Sequence, residues 1–179
     1  MTGRRPNRLR AALCLLAARI MYEEDIKQYF TAKRLAARRY LGRSGGKRLR
    51  HRPADLPSNG EIRDALLQLA ELREGEGRLR RLFAMRVVAL EALEALEGFS
   101  PRLIGSVSTG HIRRGSDIDI HVFCADEAPL LARLRQLGWT YELQRVSIRK
   151  GNEVRDYVHA HVEDVFPIEL TLYDPRALR

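Results

Sequence analysis

The apolar residues change period at Pro101, which restricts the chain to folds that join a helical half to a stranded half. Before that point apolar side chains recur three or four residues apart, the spacing of one helix face. Leu9, Leu13, Leu16 and Ile20 predict a helix near 8–21. Ile26, Tyr29, Phe30, Ala37 and Leu41 predict a second over 23–41, with Gly42 as its C-cap. Residues 42–58, rich in Gly, Pro, Ser and basic side chains, read as a loop. Ser58 and Glu61 have capping-box spacing and open a helical stretch running to Glu97, with a kink or short break expected at Gly75 and Gly77. Within it, Leu79, Phe83, Val87, Leu90 and Leu93–Leu96 form an apolar stripe that must pack on something.

After Pro101 the pattern alternates. Strands are expected at Arg102–Ile104, Asp117–Phe123, Tyr141–Lys150, Glu153–Val162 and Val165–Tyr173. The third and fourth pair around a Gly151-Asn152 turn. Ala128–Gly138 reads as a helix burying Leu130, Leu131, Leu134 and Leu137, and Trp139 and Tyr141 read as core residues. The expected fold class is α+β: a mixed β-sheet with helices on one face, preceded by a helical basic N-terminal extension. The expected domains are 1–58, the extension and loop, and 59–179, the sheet-bearing domain.

Charge is distributed as unevenly as periodicity. The chain carries 32 Lys/Arg against 23 Asp/Glu, and residues 1–52 alone hold fifteen of the former and three of the latter. A basic arm on a mildly acidic body is suited to a polyanion, although a solvated helix and loop has the same composition. Ala11–Ala18 follows a basic stretch as a signal peptide's apolar segment does, but its helical spacing and Arg19 favour a helix. Met21 is a second candidate start. No apolar run reaches bilayer length, so no membrane partner is expected. Cys14 and Cys124 match no metal-ligand spacing and read as small apolar residues in a reducing compartment, the basis for expecting a cytoplasmic location.

The chemistry concentrates between Gly105 and Ile120. Strand alternation places Asp117, Asp119 and His121 on one face, and Ile118, Ile120 and Val122 on the other. Two adjacent carboxylates repel unless a cation lies between them, and an all-oxygen set on a rigid strand suits Mg²⁺ or Mn²⁺. Glu169 shares the face of Thr171 and Tyr173 in the last strand, and joins the pair if that strand lies alongside. Gly105 and Ser106, at a strand end, allow the backbone to approach a phosphate. Ser108, Thr109 and Ser116 extend this polar character, and Arg113 and Arg114 are placed to clamp polyphosphate oxygens. His121, His159 and His161 read as half-exposed strand residues or part of an acceptor pocket.

Ile104-Gly105-Ser106, ten further residues and then Asp117-Ile118-Asp119-Ile120 resemble the signature of the DNA polymerase beta-like nucleotidyltransferase superfamily, particularly its minimal members. The resemblance covers roughly 82–173 and puts the third carboxylate at Glu169. It implies a nucleotidyltransferase-like sheet, Asp117, Asp119 and Glu169 as catalytic metal ligands, and Gly105, Ser106, Ser108, Thr109, Arg113, Arg114 and Ser116 around the nucleotide. The implied reaction moves NMP, AMP from ATP being the expected case, from an NTP to an unidentified hydroxyl of an RNA, a protein or a small molecule, releasing pyrophosphate. Two features depart from the pattern: a Glu at the third position, where Asp is common, and a strongly basic His111–Arg114 loop. The alternative is a non-catalytic or antitoxin-like module of the same fold that binds nucleic acid or a partner protein.

Overall fold

The computed structural model describes residues 7–42, 55–150 and 153–178. Most of the expected basic loop and the Gly151-Asn152 turn lie outside these residues. The chain forms two compact units, residues 1–78 with 113–115, and residues 79–112 with 116–179.

The first unit is helical. Helix α1 (Arg8–Glu23) starts at Asn7, whose side chain accepts from the Arg10 amide, and α2 spans Tyr29–Gly42. Helix α3 (Asn59–Glu74) begins with the expected capping box: the Glu61 amide donates to Ser58 Oγ at 3.1 Å, and the Ser58 amide to Glu61 Oε2 at 2.6 Å. Leu13, Ala17 and Ile20 of α1, Ala32 and Ala36 of α2, and Ile62 and Leu66 of α3 make one buried cluster. Ile62 and Leu66 thus bury the apolar face of α3 in this unit, which runs to Arg78. Arg10 adds a two-pronged bridge from α1 to Glu61, at 2.9 and 2.6 Å. Helix α2 starts at Tyr29 rather than 23, since Asp25 takes a positive φ of 51° and turns the chain out of α1.

Gly75, at φ 53°, ends α3, and α4 (Glu76–Ala95) follows immediately. The second unit then runs β1 (Arg102–Leu103), α5 (Gly105–Thr109), β2 (Ile118–Phe123), α6 (Glu127–Gln136), β3 (Tyr141–Lys150), β4 (Glu153–Val162) and β5 (Ile168–Tyr173). The five strands form one mixed sheet of order β1-β2-β5-β4-β3, in which only β2 and β5 are parallel. Ile118, Ile120, Val122, Ile168, Leu170, Ala160 and Val162 pack one sheet face on Leu82, Met85, Ala89, Val107, Leu130 and Leu134 of α4, α5 and α6. Trp139 and Tyr141 pack against this cluster. The architecture is α+β with a five-stranded mixed sheet. Asp119, His121, Glu169 and Thr171 lie on the sheet face opposite Ile118, Ile120, Ile168 and Leu170, because alternate residues of a strand take opposite faces.

Candidate active site

The parallel pairing of β2 with β5 builds the site. Their register sets Asp119 opposite Glu169 and His121 opposite Thr171. Asp117 precedes the first residue of β2. Asp117, Asp119 and Glu169 each offer a carboxylate oxygen, all within 4.8 Å of one another, and each residue is half-buried. Strands 4.8 Å apart hold such groups close whatever their mutual repulsion, because the ladder and the aliphatic face beneath set the backbone. An oxygen-only set at this spacing suits shared ligation of a hard divalent cation.

Gly105 fits against this cluster so closely that any side chain there would force Asp119 to move. A Cβ there would lie 2.1 Å from Asp119 Oδ2, and its φ of +68° is itself unfavourable for any residue with a Cβ. The preceding residue is tied to the same place, the Ile104 amide donating to the Asp119 carbonyl at 2.9 Å. Ser106 follows in the first turn of α5, where helix N–H groups have no carbonyl of their own helix to bond. Thr109 donates its hydroxyl proton to the Gly105 carbonyl at 3.0 Å, which closes the short helix. Ser108 is exposed and Ser116 half-buried just before Asp117.

The two loop arginines, expected to clamp polyphosphate, have partners within the first unit. Arg113 belongs to the first unit and is buried, its Nη1 donating to Asp25 at 2.7 Å and to the Arg114 carbonyl at 3.2 Å. This holds Nη1 of the guanidinium within the first unit. Arg114 is exposed, and its backbone amide donates to Glu74 at 2.9 Å.

Three groups outside the expected set shape the site. His159 Nδ1 lies 2.7 Å from Glu169 Oε1 and 3.3 Å from Thr171 Oγ1. A carboxylate only accepts, so the Nδ1–H donates to Glu169. His161, directly opposite Glu169 in the β4–β5 register, approaches Glu169 Oε2 at 4.0 Å. Beyond the imidazoles, Tyr173 contacts His121 at 4.4 Å between ring centroids, Tyr157 at 5.5 Å and Phe123 at 5.9 Å. Burial holds the His121 pKa below its ordinary value, and His159 adds to the effect. The third group is Arg86 of α4, which donates to the Val107 and Ser108 carbonyls at 3.1 and 3.2 Å and so fixes the end of α5. Strand parity already put His159 on the right face, but Arg86 carries no local signal, since its role depends on a carbonyl 21 residues away.

A cleft of about 380 Å³ lined by Glu142, His161, Val162, Glu163, Asp164 and Pro167 adjoins the imidazole side of this cluster. Among the described residues no helix is long and apolar enough to cross a membrane. No protein family, curated protein or solved structure gave a match to this chain.

Proposed function

We propose that the second unit is a metal-dependent nucleotidyltransferase that transfers NMP, AMP from ATP being the expected case, to an acceptor hydroxyl with release of pyrophosphate. The observation that carries the reading is the convergence of Asp117, Asp119 and Glu169 at two strands that are distant in the chain but paired in the sheet, with the Gly105 backbone against Asp119. Three carboxylates this close repel one another unless a cation lies among them, which supports a metal-dependent reading.

Asp117, Asp119 and Glu169 are the residues that would hold Mg²⁺ or Mn²⁺. A bound cation would supply charge neutralisation at the reacting phosphorus. The chain's own residues then have separable tasks. The backbone of Gly105 and Ser106 holds the phosphates, with no side chain at Gly105 to block them. Glu169, oriented by His159, accepts the acceptor hydroxyl's proton as that oxygen bonds to the α-phosphorus and pyrophosphate leaves with the bonding electron pair. Positioning and electrostatics would account for most of the acceleration. Arg113 has no part in this scheme.

The test is incubation with α-labelled NTPs and Mg²⁺ or Mn²⁺, with and without total RNA or cell extract. Label should move in the wild type and stop in the Asp117→Asn, Asp119→Asn double variant, and the labelled species identifies the acceptor. Absence of nucleotide binding and turnover with either metal would end the enzyme reading in favour of a binding module.

A further inference from the structure

Helix α4 is apolar on two faces, and the second unit uses only one of them. Leu82, Met85, Ala89 and Ala92 are buried in the sheet-facing core. Leu79, Phe83, Val87 and Leu90 remain 57%, 73%, 42% and 55% exposed. At about 100° per residue the four exposed side chains fall within an arc of about 80° over three turns, one continuous ridge. A helix with apolar residues on both sides is normally covered on both sides. Side chains of this size at these exposures leave roughly 400–500 Å² of apolar surface, the size of the largest patch on a typical monomer, which is often functional.

We propose that this ridge is the contact of a two-fold homodimer in which α4 packs antiparallel against α4 of a second copy. The ridge is nearly symmetric about its centre. Reversed onto itself, Leu79 meets Leu90 and Phe83 meets Val87, which is the self-complementarity a two-fold contact requires. The charges agree with the same axis. Arg80 and Glu91 lie on one flank of the ridge, and in an antiparallel pair that flank faces its own copy, so each Arg80 comes alongside the other copy's Glu91 and the reverse. Arg86, on the other flank near the axis, would otherwise meet its own copy, but its guanidinium is turned onto the Val107 and Ser108 carbonyls. Two such ridges with their flanks bury about 1,200 Å², the lower end of what stable association needs. A second copy therefore satisfies apolar area, charge and symmetry together, without any appeal to the proposed chemistry.

Analytical ultracentrifugation of the full chain at about 1–100 µM, the range in which an interface of this size associates, tests the proposal. The wild type should shift from the 20.5 kDa monomer to twice that mass as concentration rises. Phe83→Glu should weaken association at least about thirtyfold, the loss expected of a central aromatic anchor, with helical circular dichroism unchanged. Should that variant lose helicity, Leu90→Ser supplies the same test at a site of similar exposure. Arg80→Glu and Glu91→Arg should each weaken association several-fold, while the double reversal restores it. A wild type that stays monomeric, or a dimer indifferent to Phe83→Glu and Leu90→Ser, overturns the proposal and assigns the ridge to a different occupant. A double reversal that fails to restore the dimer overturns the antiparallel arrangement.

Discussion

The paired strands β2 and β5 and the loop that leads into β2 carry equally promising residues, yet they treat them in opposite ways. On the strands, the ladder imposes positions: Asp119 and Glu169 sit opposite each other because register permits nothing else. In the loop no ladder exists, and Arg113 takes Asp25 as its partner at 2.7 Å. A strand therefore transmits side-chain direction from the sequence into space, whereas a loop side chain goes to whichever partner best satisfies it.

That contrast can be broken most sharply at Gly105. Gly105→Ala should lower Mn²⁺ affinity and any nucleotidyl transfer by about a hundredfold, since the new methyl displaces Asp119 and ångström errors at reacting groups cost that much. Gly110→Ala is the control. It too has a positive φ, +81°, but its Cβ would meet nothing closer than 3.7 Å. It should cost only the backbone strain of about 1–2 kcal/mol in a thermal melt and leave Mn²⁺ binding intact. Equal loss of Mn²⁺ binding in both variants would mean that backbone strain, not the contact with Asp119, governs the site.

His159 tests whether register extends its control to β4. His159→Ala should reduce Mn²⁺ affinity about tenfold, as removal of a group orienting a metal ligand does. His159→Asn, which keeps an N–H near the Nδ1 position, should recover much of the loss. Titration of Mn²⁺ in both variants reads this directly, and equal affinities in wild type and His159→Ala would leave Glu169 positioned by the strand alone.

The loop side of the comparison predicts a smaller effect of another kind. Arg113→Ala should lower the urea unfolding free energy by about 1–2 kcal/mol, the scale of a lost charge-assisted hydrogen bond to a largely exposed carboxylate. Arg114→Ala should change it little. A raised KM for NTP in Arg113→Ala without loss of stability would return this arginine to the nucleotide.

The smallest effect lies in the first unit. Hydrogen bonds from Arg10, then from Ser58, hold the Glu61 carboxyl down at about 2, against an ordinary 4.5. A depressed carboxylate contributes stability above its unfolded pKa. That contribution is fully present above about 4.5 and drains away as pH falls toward 2. The urea midpoint should therefore fall on acidification through this window, and less so in Glu61→Gln. The pair is half exposed, so salt should reduce the difference.

Much of this organisation is legible locally. The Ser58–Glu61 capping box, the break at Gly75 and the outward faces of Asp119 and Glu169 all follow from spacings of two to four residues. The α1–α2 turn was not legible, because the helical spacing continues through 23–28 while Asp25 adopts its positive φ and accepts from an arginine 88 residues away. The same distance problem hid Arg86, whose partners lie across the unit, and the placement of α3 with α1 and α2, since an apolar helix face does not state which unit it will join.

By itself, then, the sequence determined where helices and strands form, which residues share a face, and where positive charge gathers, because propensity and periodicity act between near neighbours. Only the tertiary structure decided that β5 lies parallel to β2 and brings Glu169 to the aspartates, that Arg113 pairs with Asp25, and that α4 buries one of its two apolar faces. Those outcomes depend on strand order, register and packing between segments distant in the chain, and no local spacing encodes which of the available partners a face or a charge will meet.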